Sequence, residues 1–201
     1  MLTIWGRASS SNVMKLLWLC DELHIAYRRE EAGGAFGRTR DDFYVAMNPN
    51  STVPTVVEAD GFSLWESNTI LRYLGGALVP QDRRARADAE RWMDWQLGSL
   101  NNPMSTLFLG HIRTPEDQRD WPALHAARDR AQALWAMVDK ALEGRDFVAG
   151  GFGLADMALG PYLHRWFALP IERAPLPRLR AYYERLLARP AFATHCATEM
   201  N

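Results

Sequence analysis

The sequence predicts an α/β domain over residues 1–75 followed by an all-helical domain over residues 83–201. Three observations carry this. Short β-branched and apolar runs alternate with helical periodicity as far as Leu74. Gly75-Gly76-Ala77-Leu78-Val79-Pro80 then breaks the pattern, so residues 76–82 are read as a linker. Beyond it, every periodic stretch has helical spacing.

Leu2 to Trp5 is a short buried strand, and Gly6 to Asn12 (GRASSSN) is a loop. Val13 to Leu23 is an amphipathic helix whose stripe holds Val13, Leu16, Leu17 and Cys20, with His24 at its end. Tyr27 to Glu31 is a second strand, and Ala32 to Arg40 a glycine-rich loop expected to be mobile. Asp41 or Asp42 caps a short helix through Phe43 to Met47. Pro54 precedes the strand Thr55-Val56-Val57-Glu58. Ala59-Asp60-Gly61 is a turn, with Asp-Gly suited to positive φ, and Phe62 to Trp65 returns as a strand. Glu66-Ser67 opens a helix with Ile70, Leu71 and Leu74 at helical spacing. The order β-α-β-α-β-β-α, a parallel βαβ unit followed by an antiparallel hairpin and a closing helix, is thioredoxin-like.

In the helical domain, Asp82 caps a long helix carrying Trp92, Trp95, Leu97 and Leu100. Pro103 kinks or splits it, because proline has no N–H and its ring clashes with the preceding turn. Thr106 to Ile112 continues it, and Thr114-Pro115 begins a polar connection. Pro122 suits the first turn of the next helix. That helix has the core stripe Leu124, Ala127, Ala131, Leu134, Val138 and Leu142, and Gly144 and Gly150-Gly151 bound the loop after it. A last helix, about Leu176 to Ala188, ends before Pro190.

Hydrophobic content of 48% and charged content of 23% are ordinary for a globular chain of 201 residues. A formal net charge of −1 makes no electrostatic case for nucleic acid or an anionic membrane. No apolar stretch reaches membrane-spanning length, and Met1 to Trp5 has no basic leader. Two cysteines, Cys20 and Cys196, make no disulfide framework. A reducing cytoplasm is the expected compartment. Only Lys15 and Lys140 are lysine, which reads as compositional bias. The five histidines show no ligand spacing, so no metal site is expected.

The stretch Asn48 to Leu74 (NPNSTVPTVVEADGFSLWESNTILRYL) joins Val53-Pro54 to Glu66-Ser67 twelve residues later and then to Ile-Leu-x-Tyr-Leu. Each dipeptide alone is explained by helix capping or the start of a strand; the ordered set is far more specific. It resembles the glutathione-binding half of the glutathione S-transferase family. The likeness extends to Gly153-Leu154-Ala155-Asp156, similar to the family's buried helix with its capping box, and to Leu179-Arg180-x-Tyr182-Tyr183 near the C-terminus. Gly153 replaces the Ser or Thr of that box, a loss of roughly a few tenths of a kcal/mol against Ser.

The resemblance implies a cis Val53-Pro54 bond and glutathione as co-substrate. It also implies a glutathione site of Thr52, Val53, Pro54, Glu66 and Ser67. The residue before the proline would pair with the cysteinyl backbone, and the acid-serine pair would hold the γ-glutamyl end. The physics agrees. A cis X-Pro turn can expose a backbone edge to a peptide-like ligand. A serine at a helix start offers a hydroxyl and an N–H to a carboxylate. Glu66 can accept from an α-ammonium group.

Such a transferase must hold its substrate as a thiolate. A free thiol near pKa 8.5 is only a few per cent ionised at about pH 7. Lowering that pKa by about two units takes roughly 2.7 kcal/mol of preferential thiolate stabilisation. A hydrogen bond to charged sulfur contributes about 1.5–3 kcal/mol, and a helix dipole about 0.3–1 more. The loop before the first helix is where the donor must sit. It holds no Tyr or Cys, which disfavours tyrosine- or cysteine-type chemistry. Ser10-x-Asn12 resembles the Thr-x-Asn pattern of the bacterial nu-like class, so Ser10 is the first candidate donor, with Ser11 and Asn12 close behind. Capping of the helix by one serine is the competing account. Cys20 reads as a packed core thiol.

By the same resemblance, a small hydrophobic electrophile would lie between the domains, near Met104, Phe108, His111 and Trp166, and the chain would be a homodimer. The expected activity is conjugation of the glutathione thiolate to that electrophile. Glutathione-dependent peroxide or disulfide reduction is the alternative enzyme reading. A non-catalytic binding module of the same fold is the reading from another class.

Overall fold

The computed structural model describes residues 1–200. Backbone contacts divide the chain into two compact units, Met1–Val79 and a second from Pro80 onward. The first contains β1 (Leu2–Trp5), α1 (Ser11–Glu22), β2 (Tyr27–Glu30), α2 (Asp42–Met47), β3 (Thr55–Val57), β4 (Ser63–Trp65) and α3 (Ser67–Leu74). The sheet order is β2-β1-β3-β4. β1 runs parallel to β2 and antiparallel to β3, and β4 is antiparallel to β3. This is the thioredoxin-like arrangement.

Local chemistry accounts for the element ends. Leu2 and Ile4 of β1 point into the core and alternate with Thr3 and Trp5. At the hairpin, Gly61 takes φ 94°, the Phe62 N–H donates to Asp60 Oδ1, and the Glu58 N–H donates to the Phe62 carbonyl. The glycine-rich segment after β2 is not featureless: it contains a 3-10 turn at Gly34–Phe36, and Ala32 is buried.

α1 differs from the expectation in three ways. It begins at Ser11 because Ser10 is extended and its carbonyl already accepts from Val13 and Met14. His24 lies beyond the helix, exposed and at φ 54°, and so has no place on the buried stripe. Burial also covers Met14, Trp18 and Leu19, so the helix is enclosed on nearly all sides, and Lys15 is enclosed with it.

The second unit is helical: α4 (Arg83–Trp95), α5 (Asn101–Phe108), α6 (Trp121–Ala141), α7 (Leu154–Ala168), α8 (Pro177–Leu187) and α9 (Pro190–His195). Asp82 caps α4 by accepting from the Arg84 and Ala85 N–H groups. Pro103 does not interrupt the chain's helical course. A π segment, Gln96–Leu100, widens the turn just before it, which relieves the clash and the missing bond. Leu97 on that segment is exposed rather than core. A second π segment, Leu109–Arg113, follows α5. Asp120 accepts from the Ala123 N–H to start α6, and the whole predicted stripe of α6 is buried. Pro190 does not close the helical structure; it opens α9, where its missing N–H costs nothing.

Two buried carboxylates do the capping that neighbouring residues cannot. Leu176 precedes α8 and has no polar side chain, so Asp139 of α6 accepts from the Leu179 N–H at 2.8 Å. At α7, Gly153 has no hydroxyl to offer. Asp156 supplies the other half of the box, accepting from the Gly153 N–H at 2.8 Å, and also from Tyr182 Oη at 2.7 Å and the Val148 N–H at 3.3 Å. Burial pushes the Asp156 carboxyl up to about 6 against the pull of these bonds.

Tyr182→Phe removes one donor and is expected to lower the unfolding free energy by about 1–2 kcal/mol. Asp156→Ala strands all three and should cost about 3 kcal/mol or more. Urea unfolding followed by tryptophan fluorescence measures both. A smaller loss for Asp156→Ala than for Tyr182→Phe would contradict the shared role of this carboxylate.

Candidate functional site

The site is built on the turn before β3. The Val53-Pro54 bond is cis. Tyr44 of α2, fully buried, donates its hydroxyl to the Thr52 carbonyl at 2.7 Å, and Asn48 Nδ2 donates to the same carbonyl at 3.0 Å. Asn48 also donates to Thr55 Oγ1 at 3.0 Å, and Thr55 Oγ1 donates on to Tyr44 Oη at 2.9 Å. Thr52 is thereby turned inward at its carbonyl, whereas no hydrogen bond within the described residues reaches the Val53 N–H or carbonyl. Those two backbone groups of Val53 are the open ones.

Gly6 brings the end of β1 against this turn. A Cβ there would lie 2.5 Å from Val13 Cγ2 and 3.2 Å from Val53 Cβ, so only glycine permits the approach. The loop it leads into ends at the N-terminus of α1. Ser10 and Ser11 are almost buried, yet neither hydroxyl makes a hydrogen bond within the described residues, and Ser10 does not cap the helix. Their oxygens stand where the first-turn N–H groups and the dipole favour an anion.

Asn12 faces α3. Ser67 Oγ donates to Asn12 Oδ1 at 3.2 Å and accepts from Lys15 Nζ at 3.3 Å, and Lys15 also donates to Asn68 Oδ1 at 3.0 Å. Glu66, exposed just before the helix, is held at φ 71°. Beyond that strained residue the Ser67 and Asn68 N–H groups begin α3. Burial lowers the Lys15 ammonium to about 7, and the Glu66 charge opposes that shift.

The structure therefore joins Asn12 to Ser67, and places Val53 beside Gly6. Tyr44, Asn48, Lys15 and Asn68 take part without being among the residues that the sequence points to as a site. Lysine's rarity, with two among 23 basic residues, and the placement of Lys15 beside the apolar Leu16-Leu17 pair were the available signals.

In the helical unit, Met104 and Trp166 have almost no exposed surface, so neither offers an open face. The Phe108 ring is covered by the Arg165 guanidinium at 3.8 Å. His111 is half-buried, 5.9 Å from Trp121, and burial followed by Arg119 and His125 lowers its proton affinity. Among the described residues, no group of His, Cys, Asp and Glu is arranged to hold a metal, and no helix is long and apolar enough to cross a membrane.

Residues 1–76 match the family described as Glutathione S-transferase, N-terminal domain, and residues 116–185 match Glutathione S-transferase, C-terminal domain. Glutathione S-transferase GstB of Escherichia coli (strain K12) is 38% identical over 199 residues, 95% of each chain. Disulfide-bond oxidoreductase YfcG of the same strain is 30% identical over 198 residues, 92% of this chain and 89% of that one. The theta class glutathione S-transferase of Xanthomonas axonopodis pv. citri, solved with glutathione bound, superposes with a TM-score of 0.96 at 43% identity, covering 100% of this chain and 99% of the other. The chain belongs to the glutathione S-transferase family.

Cys20 and Cys196 are both fully enclosed. Burial, with Asp21 adding to it, pushes the Cys20 thiol up to about 12, and burial pushes Cys196 well above its ordinary value. Neither is expected to react with a disulfide reagent in the native protein at about pH 8, and both should react once it is unfolded. Rapid labelling of the native chain would contradict this.

Proposed function

We propose that the chain binds glutathione at the turn Thr52-Val53-Pro54 and the Glu66-Ser67 pair, and transfers its thiolate to small hydrophobic electrophiles. The observation that carries this reading is the pair of unengaged hydroxyls, Ser10 and Ser11, at the N-terminus of α1, beside the open backbone groups of Val53. In this reading the Val53 N–H and carbonyl pair with the cysteinyl backbone. Glu66 accepts from the α-ammonium, and Ser67 gives its N–H and hydroxyl to the γ-glutamyl carboxylate. The sulfur then falls to Ser10 first, with Ser11 and Asn12 beside it. Phe108 and His111 are the proposed contacts of the electrophile. Support comes from the similar Xanthomonas structure, which holds glutathione, and from the relative GstB.

A second enzyme reading has a specific observation behind it: the relative YfcG is a disulfide-bond oxidoreductase. Two glutathione thiols would be oxidised to glutathione disulfide while the substrate disulfide is reduced to two thiols. Such a reaction needs no protein thiol, which suits a chain whose two cysteines are enclosed. The proposed working form is a cytoplasmic homodimer. Phe62 and Tyr73, with rings 5.8 Å apart, and Leu97 are exposed apolar groups available to a second copy.

Ultraviolet difference titration of bound glutathione from about pH 5 to 9 follows the thiolate directly. The bound thiol is expected to titrate below about 7.5, and Ser10→Ala to raise that value by about one to two units, with smaller effects for Ser11→Ala and Asn12→Ala. A bound thiol that titrates like the free one would favour a binding module, and no binding at millimolar glutathione would overturn both enzyme readings. Sedimentation should give twice the chain mass; a species near 22.8 kDa at micromolar protein would refute the dimer.

A further inference from the structure

We propose that Lys15 is a positioning residue for the bound tripeptide: enclosed between α1 and the start of α3, it orients Ser67 and Asn68 and places a positive charge behind the γ-glutamyl carboxylate. This rests on the reading that Glu66-Ser67 anchors glutathione. Lys15 has no exposed surface and acts through its neighbours.

Packing does not explain a lysine here. Enclosing an ammonium is costly, and the side-chain oxygens Ser67 Oγ and Asn68 Oδ1 that accept from Lys15 are neutral. An apolar side chain of similar length would fill the space without that cost. What lysine adds is direction and charge. Its Nζ occupies a lone pair of Ser67 Oγ, so the serine proton is directed outward from Lys15, in this structure to Asn12. A carboxylate reaching the N-terminus of α3 takes over that proton from the weaker, neutral acceptor Asn12, with a cation close behind the hydroxyl.

Charge bookkeeping gives the effect a sign. β1, β3 and β4 carry no titratable side chain; α3 carries Arg72 and Tyr73, and α1 carries Cys20, Asp21 and Glu22 besides Lys15. The charge that holds a proton on Lys15 is that of Glu66, and burial opposes it, leaving the group to titrate at about 7. An arriving carboxylate adds a second negative charge and raises that value. Binding therefore takes up a proton above about pH 7, and affinity falls as pH rises through that region, about tenfold for each unit by which the ligand raises the Lys15 pKa.

The experiment uses S-methylglutathione, which has no thiol to titrate, and calorimetry on the whole chain from about pH 6 to 8.5. The wild type should lose about tenfold in affinity over this range, with proton uptake seen as an enthalpy that depends on the buffer. Lys15→Met should bind about tenfold more weakly at the acid end and show neither the decline nor the uptake, with a melting temperature that is not lowered. Lys15→Arg, charged throughout, should recover acid-end affinity with a flat profile. A wild-type affinity that does not change with pH overturns the proposal without any variant. So does a decline that persists in Lys15→Met, since it would belong to the ligand's own ammonium. Failure of the wild type to bind S-methylglutathione at all would instead overturn the glutathione reading on which this rests.

Discussion

The first unit depends on one enclosed polar contact. Ser67 Oγ lies between Lys15 and Asn12 of α1, and so ties the start of α3 to the first turn of the helix that follows the serine-rich loop. These residues are more than fifty positions apart in the chain. In a low-dielectric interior a satisfied polar network is specific, because each alternative arrangement leaves a buried group unpaired. The network thus fixes the register of two helix N-termini against each other.

A second network does the same for the turn between them. Tyr44 and Asn48 hold the Thr52 carbonyl and Thr55, and by taking that carbonyl inward they turn the N–H of the same trans peptide, that of Val53, outward. Local strain at Glu66 and the bare Cα of Gly6 complete the arrangement. Each is unfavourable or uninformative alone, and each is tolerated because the surrounding packing over-determines it.

The order of elements was legible in the sequence because strand and helix periods differ and the turns carry Asp-Gly and Gly-Gly signals. The α6 stripe was legible for the same reason. The Val-Pro and Glu-Ser pairs were legible through their spacing. What could not be read was long-range pairing. Lys15 sits on a helix whose pattern places it on the polar face, and only the enclosure of all sides of α1 makes it a buried charge. Tyr44 and Asn48 look like a core aromatic and a turn residue until the fold brings Thr52 to both. The π segment before Pro103 and the short helix after Pro190 escaped because proline signals a local restriction without saying which turn absorbs it. The resemblance implies Met104 and Trp166 as pocket residues, but their enclosure is a property of packing that no motif encodes.

The enclosure of Cys20 and Cys196 has a consequence for endurance. In the proposed reaction the reactive sulfur belongs to glutathione and is replaced with every cycle, while the chain keeps its own thiols protonated and out of reach. An alkylating or oxidising compound that would poison a cysteine-based catalyst finds no such group on this surface. In that proposed reaction the damage falls on a diffusible reagent, and the scaffold outlives it.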